Sequence, residues 1–319
     1  MALNVGIHAL MRGAMSDRNG TMEVARKAEA FGFSHIGVND HVVVPTDINS
    51  RYPYTEHGQW PGKAFGECLE LISTLSFLAG CTSRIRLLTS VMVVPYRPAV
   101  LTAKMLATAD VLSNGRVIVG CGVGWMPEEF AALGAPDFSA RGKATDEFLD
   151  AFVELWTKAA PSYQGEHVRF EGITFMPKPV QKPMPLWIGG ESQVALRRTA
   201  RIGTGWYPAS NNPNWPLDTP ARMADAVDKL RRACQQAGRD PDDVEVGHLT
   251  LWPVSWVAEK TADGGRKFIT GSSAEIADDL VAMAGAGVQH VSLMFQAATT
   301  IETIERMQRF AEEVMPSIR

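Results

Sequence analysis

Eight short apolar runs, each followed by an amphipathic stretch, recur from one end of this chain to the other. They are VGIHAL from Val5, SHIGVN from Ser34, IRLLTSVMVV from Ile85, RVIVGC from Arg116, LWIG from Leu186, GWYP from Gly205, VEVGHLTLW from Val244 and QHVSLMF from Gln289. Alternation of this kind points to a parallel sheet, because parallel strands need a crossover long enough to hold a helix. Eight repeats in 319 residues predict a closed α/β barrel, the (β/α)8 or TIM architecture, over an open sheet. No shift in composition marks a boundary, so residues 1–319 are expected to form a single domain. Helix ends are legible too. Thr219 precedes Pro220, Ser272 with Glu275 and Thr299 with Glu302 have capping-box spacing, and Phe31-Gly32 reads as a left-handed stop.

Three segments exceed ordinary connections: Val42 to Gly66, Ala160 to Pro183 and Pro253 to Gly271. They are expected to be insertion loops at the C-terminal face, and the middle one reads as a short hairpin between proline-rich ends. With a net charge of −4, the chain carries no electrostatic footprint for nucleic acid. No apolar run approaches the roughly 20 residues that span a bilayer. The start, MALNVGIHAL, lacks the basic region and cleavage site of a signal peptide, so a cytoplasmic protein is expected. The four cysteines (Cys68, Cys81, Cys121, Cys234) have no metal-like spacing. The first strand lacks an HxH and no spaced ligand set follows, so no metal is expected.

Read residue by residue, four strand ends stand out. Gly120, Gly122 and Gly124 follow the fourth run, with Trp125 next. A Rossmann fingerprint would need other spacing and the first βα turn. The glycines therefore mark either a tightly packed barrel corner or a backbone that passes close to a ligand. Asp40-His41 closes the second run; such a histidine is either a satisfied rim residue or a proton-exchanging group. Gly189, Gly190, Glu191 and Ser192 join a strand to a helix start, where bare amides suit a phosphate and Glu191 must turn away. Trp206 and Tyr207 end the sixth run and are expected to face the cavity. Tyr52, Tyr54 and Trp60 in the first long loop are either ordinary packing or an apolar lid over a substrate.

The stretch TADVLSNGRVIVGCGVGWMPEEFAALG resembles the signature of the bacterial luciferase-like superfamily of flavin- and deazaflavin-dependent oxidoreductases. Asp110, Leu112, Ser113, Gly115, Arg116, Gly120, Gly122, Gly124, Trp125, Glu129 and Phe130 carry the match; Ala109 departs from it. The resemblance continues through VNDHVVVP, TSVMVVPYRPAVL and LWIGGES and covers most of the first two-thirds of the chain. It is similar to the branch that uses coenzyme F-420, a 5-deazaflavin. The resemblance implies that His41 is catalytic at the junction of cofactor and substrate, with Asp40 anchoring the ring or orienting the histidine. It implies a non-prolyl cis peptide at Ser90-Val91 lying against the ring. By the same resemblance, the backbone at Gly120, Gly122 and Gly124 would approach the ring, and Trp125 would wall the pocket. The sugar-phosphate dehydrogenases of this branch have a glutamate where Trp125 stands, which disfavours such substrates here. The expected function is hydride transfer between F-420 and a small, moderately hydrophobic molecule. The alternative is an FMN-dependent monooxygenase fed reduced flavin by a separate reductase. Relatives of this kind form homodimers, and a homodimer is expected.

Overall fold

A computed structural model describes residues 3–9, 11–62, 68–261 and 264–318. The tail of the first long loop, residues 63–66, and residues 262–263 of the third lie outside the described residues. The elements in chain order are β1 (Asn4–Ala9), α1 (Arg18–Phe31), β2 (His35–Val38), α2 (Leu71–Cys81), β3 (Arg86–Thr89), β4 (Met92–Val93), α3 (Ala99–Leu112), β5 (Val117–Gly122), α4 (Pro127–Leu133) and α5 (Arg141–Thr157). Then follow β6 (Tyr163–Gln164), β7 (Arg169–Phe170), β8 (Leu186–Gly189), α6 (Gln193–Ile202), β9 (Gly205–Tyr207), α7 (Pro220–Gln236), β10 (Glu245–Pro253), α8 (Ser273–Gly285), β11 (His290–Met294), α9 (Thr300–Glu313) and α10 (Met315–Ile318).

All eight sequence runs become staves of a parallel barrel in the circular order β1, β2, β3, β5, β8, β9, β10, β11. The β3–β5 pairing (Leu87 with Val117, Leu88 with Ile118) and the β1–β11 pairing join the ends. The third run, expected as one strand, is split into β3 and β4, and the Ser90–Val91 peptide between them is cis. The second long segment forms the β6–β7 hairpin; because it connects α5 to the start of β8, it lies at the N-terminal ends of the strands and not at the C-terminal face expected of it. Glu147 of α5 staples it by accepting from the amides of Glu166, His167 and Val168.

Side chains that point inward fill the barrel: Leu88, Ile118, Trp187, Tyr207 and Leu249 form one buried cluster. His35 lies among them, with Nε2 2.7 Å from Ser292 Oγ and Nδ1 2.9 Å from Ser34 Oγ. Such bulk fits because neighbouring staves carry glycine. A Cβ on Gly6 would lie 2.3 Å from the His35 ring, and one on Gly205 would lie 2.3 Å from Trp187. The alternate residues, such as Ile7, Ile36, Val38 and Ile188, face outward into the layer shared with the helices. The helices start where their caps place them. Thr219 accepts from Arg222 N, and Ser272 and Thr299 each complete a reciprocal capping box. Gly32 ends α1 at φ 86°. Among the described residues, no helix is long and apolar enough to cross a membrane.

Candidate active site

The site is built at the C-terminal ends of the strands, where the first long loop leaves β2 and turns over the mouth. Two consecutive glutamates in the first turn of α4 fix that loop. Glu129 Oε1 accepts from the amides of Val42 (2.7 Å) and Val43 (3.2 Å). Glu128 Oε1 accepts from the amides of Asn49 (2.8 Å) and Ser50 (3.1 Å). The other oxygen of Glu129 accepts from Tyr96 Oη at 2.9 Å and lies 2.8 Å from His41 Nδ1. Glu129 is fully buried, and burial together with this carboxylate raises the phenol pKa of Tyr96. With a carboxylate at Nδ1, the imidazole keeps its proton there. Nε2 has no partner among the described residues.

Around His41 the expected loop aromatics come together. The Trp60 ring centroid lies 4.5 Å and the Trp125 centroid 6.4 Å from that of His41. Trp60 meets Trp125 at 5.8 Å, Tyr52 meets Trp125 at 5.0 Å, and Tyr54 meets Tyr52 at 5.5 Å. Asn211 Nδ2 donates to Tyr54 O across the mouth at 2.8 Å. Burial raises the phenol pKa values of Tyr52 and Tyr54, keeping both neutral.

Several expected roles are corrected by the geometry. Asp40 does not touch the His41 ring, since adjacent residues of an extended chain point to opposite sides. Its carboxylate is gripped at both oxygens by Arg97, at 2.8 and 2.9 Å, and accepts from Val93 N at 2.9 Å. Asp40 thus fixes the chain just after Ser90-Val91. Ser90 Oγ is engaged inside the barrel by His8 Nδ1 (2.9 Å) and Tyr207 Oη (3.0 Å). Val91 is wedged between two bare backbones: a Cβ on Gly122 would lie 2.7 Å from its Cγ2, and one on Gly189 would lie 3.2 Å from its Cγ1. A Cβ on Gly120 would strike Thr89 O at 2.1 Å, and one on Gly124, at φ 83°, would strike Phe130 at 2.6 Å. These glycines make room for the β3–β4 turn and for Phe130.

Trp206 and Tyr207 do not line the mouth. Strand alternation sends Tyr207 into the barrel and Trp206 into the helix layer, where its Nε1 donates to Gly190 O at 2.9 Å. Glu191 does turn away from the α6 terminus. Its carboxylate accepts from Ala209 N and Asn212 Nδ2, both at 2.8 Å, and burial raises its pKa. Ser192 caps α6 by accepting from Ala195 N at 3.2 Å, which leaves its hydroxyl proton free to donate. Arg198 is paired with Asp146 and Arg197 is exposed, so neither arginine serves that turn.

The sequence reading missed Glu129 as the partner of His41, although the pair of glutamates after Pro127 signalled it. It also missed Arg12, which follows β1 at the mouth. Five buried polar atoms just past strand ends have no partner among the described residues: Arg12 Nε, Asn39 Oδ1, Ser210 Oγ, Asn211 Oδ1 and Gln296 Oε1. Such atoms are costly unless a ligand satisfies them. Together with the first two amides of α6, at Gln193 and Val194, those other than Arg12 Nε fit a flat ring with polar edges and a phosphate-bearing tail.

The family profile described as luciferase-like monooxygenase matches residues 4–251. The chain belongs to that family. It is 32% identical over 262 residues to the uncharacterized protein Rv0940c of Mycobacterium tuberculosis, covering 81% of this chain and 86% of that one. It is 25% identical over 342 residues to the FMNH(2)-dependent dimethylsulfone monooxygenase of Pseudomonas fluorescens, covering 93% and 86%. An F420-dependent secondary alcohol dehydrogenase solved with an F420-acetone adduct superimposes with a TM-score of 0.76 at 18% identity, each chain covered completely. Proteins named for each of the two cofactors are thus among those that the chain is similar to.

Proposed function

We propose that this single-domain barrel is a coenzyme F-420-dependent oxidoreductase acting on a small, moderately hydrophobic molecule, with His41 as its proton-exchanging group. The observation that carries the reading is the His41–Glu129 pair set beneath the Tyr52, Tyr54, Trp60 and Trp125 rings. The polar atoms without partners other than Arg12 Nε, and the Gly189–Ser192 turn that leads into α6, support a bound ring and phosphate. When bound, the deazaflavin supplies hydride transfer at C5. The chain does the rest. Glu129 holds the proton on His41 Nδ1, so Nε2 accepts a proton from a substrate oxygen or returns it. Trp60 and Trp125 exclude water from that exchange, while Asp40 and Arg97 keep the β3–β4 turn in place as the floor. As a soluble homodimer in the cytoplasm, the enzyme would need neither membrane nor nucleic acid.

The similarity to the dimethylsulfone monooxygenase favours a second reading, an FMN-dependent monooxygenase supplied with reduced flavin by a separate reductase. A side-by-side fluorescence titration with oxidised F-420 and FMN separates the two. Binding of F-420 with little affinity for FMN is the expected result, and preference for FMN would move the protein to the second reading. His41→Ala should still bind cofactor yet lose about 10²- to 10⁴-fold in turnover. Unchanged turnover would remove His41 from the chemistry.

A further inference from the structure

Three arginines are buried among the described residues, and two of them are fully answered. Arg116 gives all of its donors to carbonyls and a hydroxyl, and Arg198 is paired with Asp146. Arg12, 3% exposed, is the exception. Its Nη1 donates to Gly62 O at 3.2 Å, its Nε is buried without a partner, and no carboxylate among the described residues reaches it. Its guanidinium carbon sits 4.7 Å from the centroid of Trp60, the ring that packs against His41. The aromatic face offsets part of the cost of a buried cation, but burial of a charge this deep is compensated fully only by an anion. Because Nη1 is used on one side, Nε and Nη2 present the side-on edge that matches the two oxygens of a carboxylate.

We propose that Arg12 is the specificity-determining anchor of the pocket and that the substrate carries a carboxylate. The carboxylate takes the Nε–Nη2 edge, and the apolar body lies along Trp60 and Trp125 toward His41. This inference rests on the proposed role of His41 and names the substrate class for it. The shared chemistry is an oxyanion, which a substrate or the tail of the cofactor could supply. Position in the barrel favours the substrate. Arg12 follows β1, next to the β2 end that carries His41, whereas the α6 amides follow β8, the stave directly opposite β1 in the circular order. A single ring system with its phosphate on α6 meets Arg12 only through whatever molecule occupies the far side of the mouth.

The test compares benzoate with its neutral isostere benzamide by calorimetry and by quenching of tryptophan fluorescence, first on the chain as purified and then with F-420 added. Benzoate should bind at least tenfold tighter than benzamide. Arg12→Met should abolish that preference, and Arg12→Lys, which keeps the charge but loses the planar edge, should retain part of it. Both variants should bind F-420 within twofold of the unaltered chain. Equal binding of the two probes, no binding of benzoate, or a preference that survives Arg12→Met overturns the proposal. A loss of F-420 affinity in Arg12→Met as large as the loss for benzoate overturns it in favour of the cofactor tail. If Arg12→Met melts far below the unaltered chain, Arg12→Lys decides: a benzoate preference equal to that of the unaltered chain overturns the bidentate anchor. If neither F-420 nor FMN binds while the benzoate preference holds, the proposed activity fails and the anion site stands.

Discussion

At the N-terminal end of β5, Arg116 spends its five donors on Ser113 O, Thr82 Oγ1, Ile85 O, Ala79 O and Thr82 O. There, too, Asp110 accepts from the amides of Val180 and Gln181 and from the Gln181 side chain. At the other end of the barrel, Arg12 Nε, Asn39 Oδ1, Ser210 Oγ, Asn211 Oδ1 and Gln296 Oε1 go without partners among the described residues. Both ends are dense in polar groups, and one sequence signature, from Asp110 to Phe130, runs through both. The difference between them is satisfaction. A closed ledger of donors and acceptors builds architecture, whereas open valences at strand ends belong to a surface meant to be completed by another molecule.

The comparison can be tested from its stronger end. Arg116→Met leaves buried carbonyls unpaired and should destabilise the fold by about 3–4 kcal/mol, measured by urea unfolding. The folded fraction should keep its cofactor affinity, and a variant that folds normally but loses binding would erase the distinction between the ends. Acid perturbs the whole barrel instead of one end of it. Burial lowers the pKa values of His8 to about 4, His35 to about 3 and His248 to about 4. These residues are neutral in the fold but take up protons in the unfolded chain below its ordinary pKa near 6.5. Stability is therefore intact above that pH and lost as pH falls from 6.5 toward 4, by about 1 kcal/mol per pH unit for each histidine. Urea midpoints that stay flat from pH 7 to pH 5 would contradict this. A smaller effect is expected from Glu129→Gln, which removes the charge beside His41. Turnover should fall about tenfold, the pH profile of kcat/KM should shift, and KM should hold. A change confined to KM would make Glu129 a loop clamp alone.

Much of this was legible in the sequence because the period-2 and period-3.6 patterns, the capping boxes and the turn glycines are local signals. The eight staves, the hairpin at Tyr163–Phe170 and the stop at Gly32 all arise within a few residues of their cause. The grouping of His41 with Tyr52, Tyr54, Trp60 and Trp125 followed from placing loops at one face. What could not be read was partnership across the barrel. Asp40 finds Arg97 fifty-seven residues on, and His41 finds Glu129 eighty-eight residues on; no spacing rule reaches that far. Trp206 and Tyr207 were misassigned because, in a three-residue strand, one position decides which side chain enters the barrel.

The glycines of β5 have a consequence for how this protein can change over generations. Gly120 and Gly122 face Thr89 O and Val91 so closely that not even a methyl group fits. The floor beneath the mouth is thus drawn by main chain and is closed to variation one residue at a time. Heritable novelty must enter at the rim, through Arg12, Tyr52, Tyr54 and Trp60, whose side chains can be exchanged without moving a strand. Lineages descended from such a barrel would diverge in what they accept while inheriting one unaltered floor.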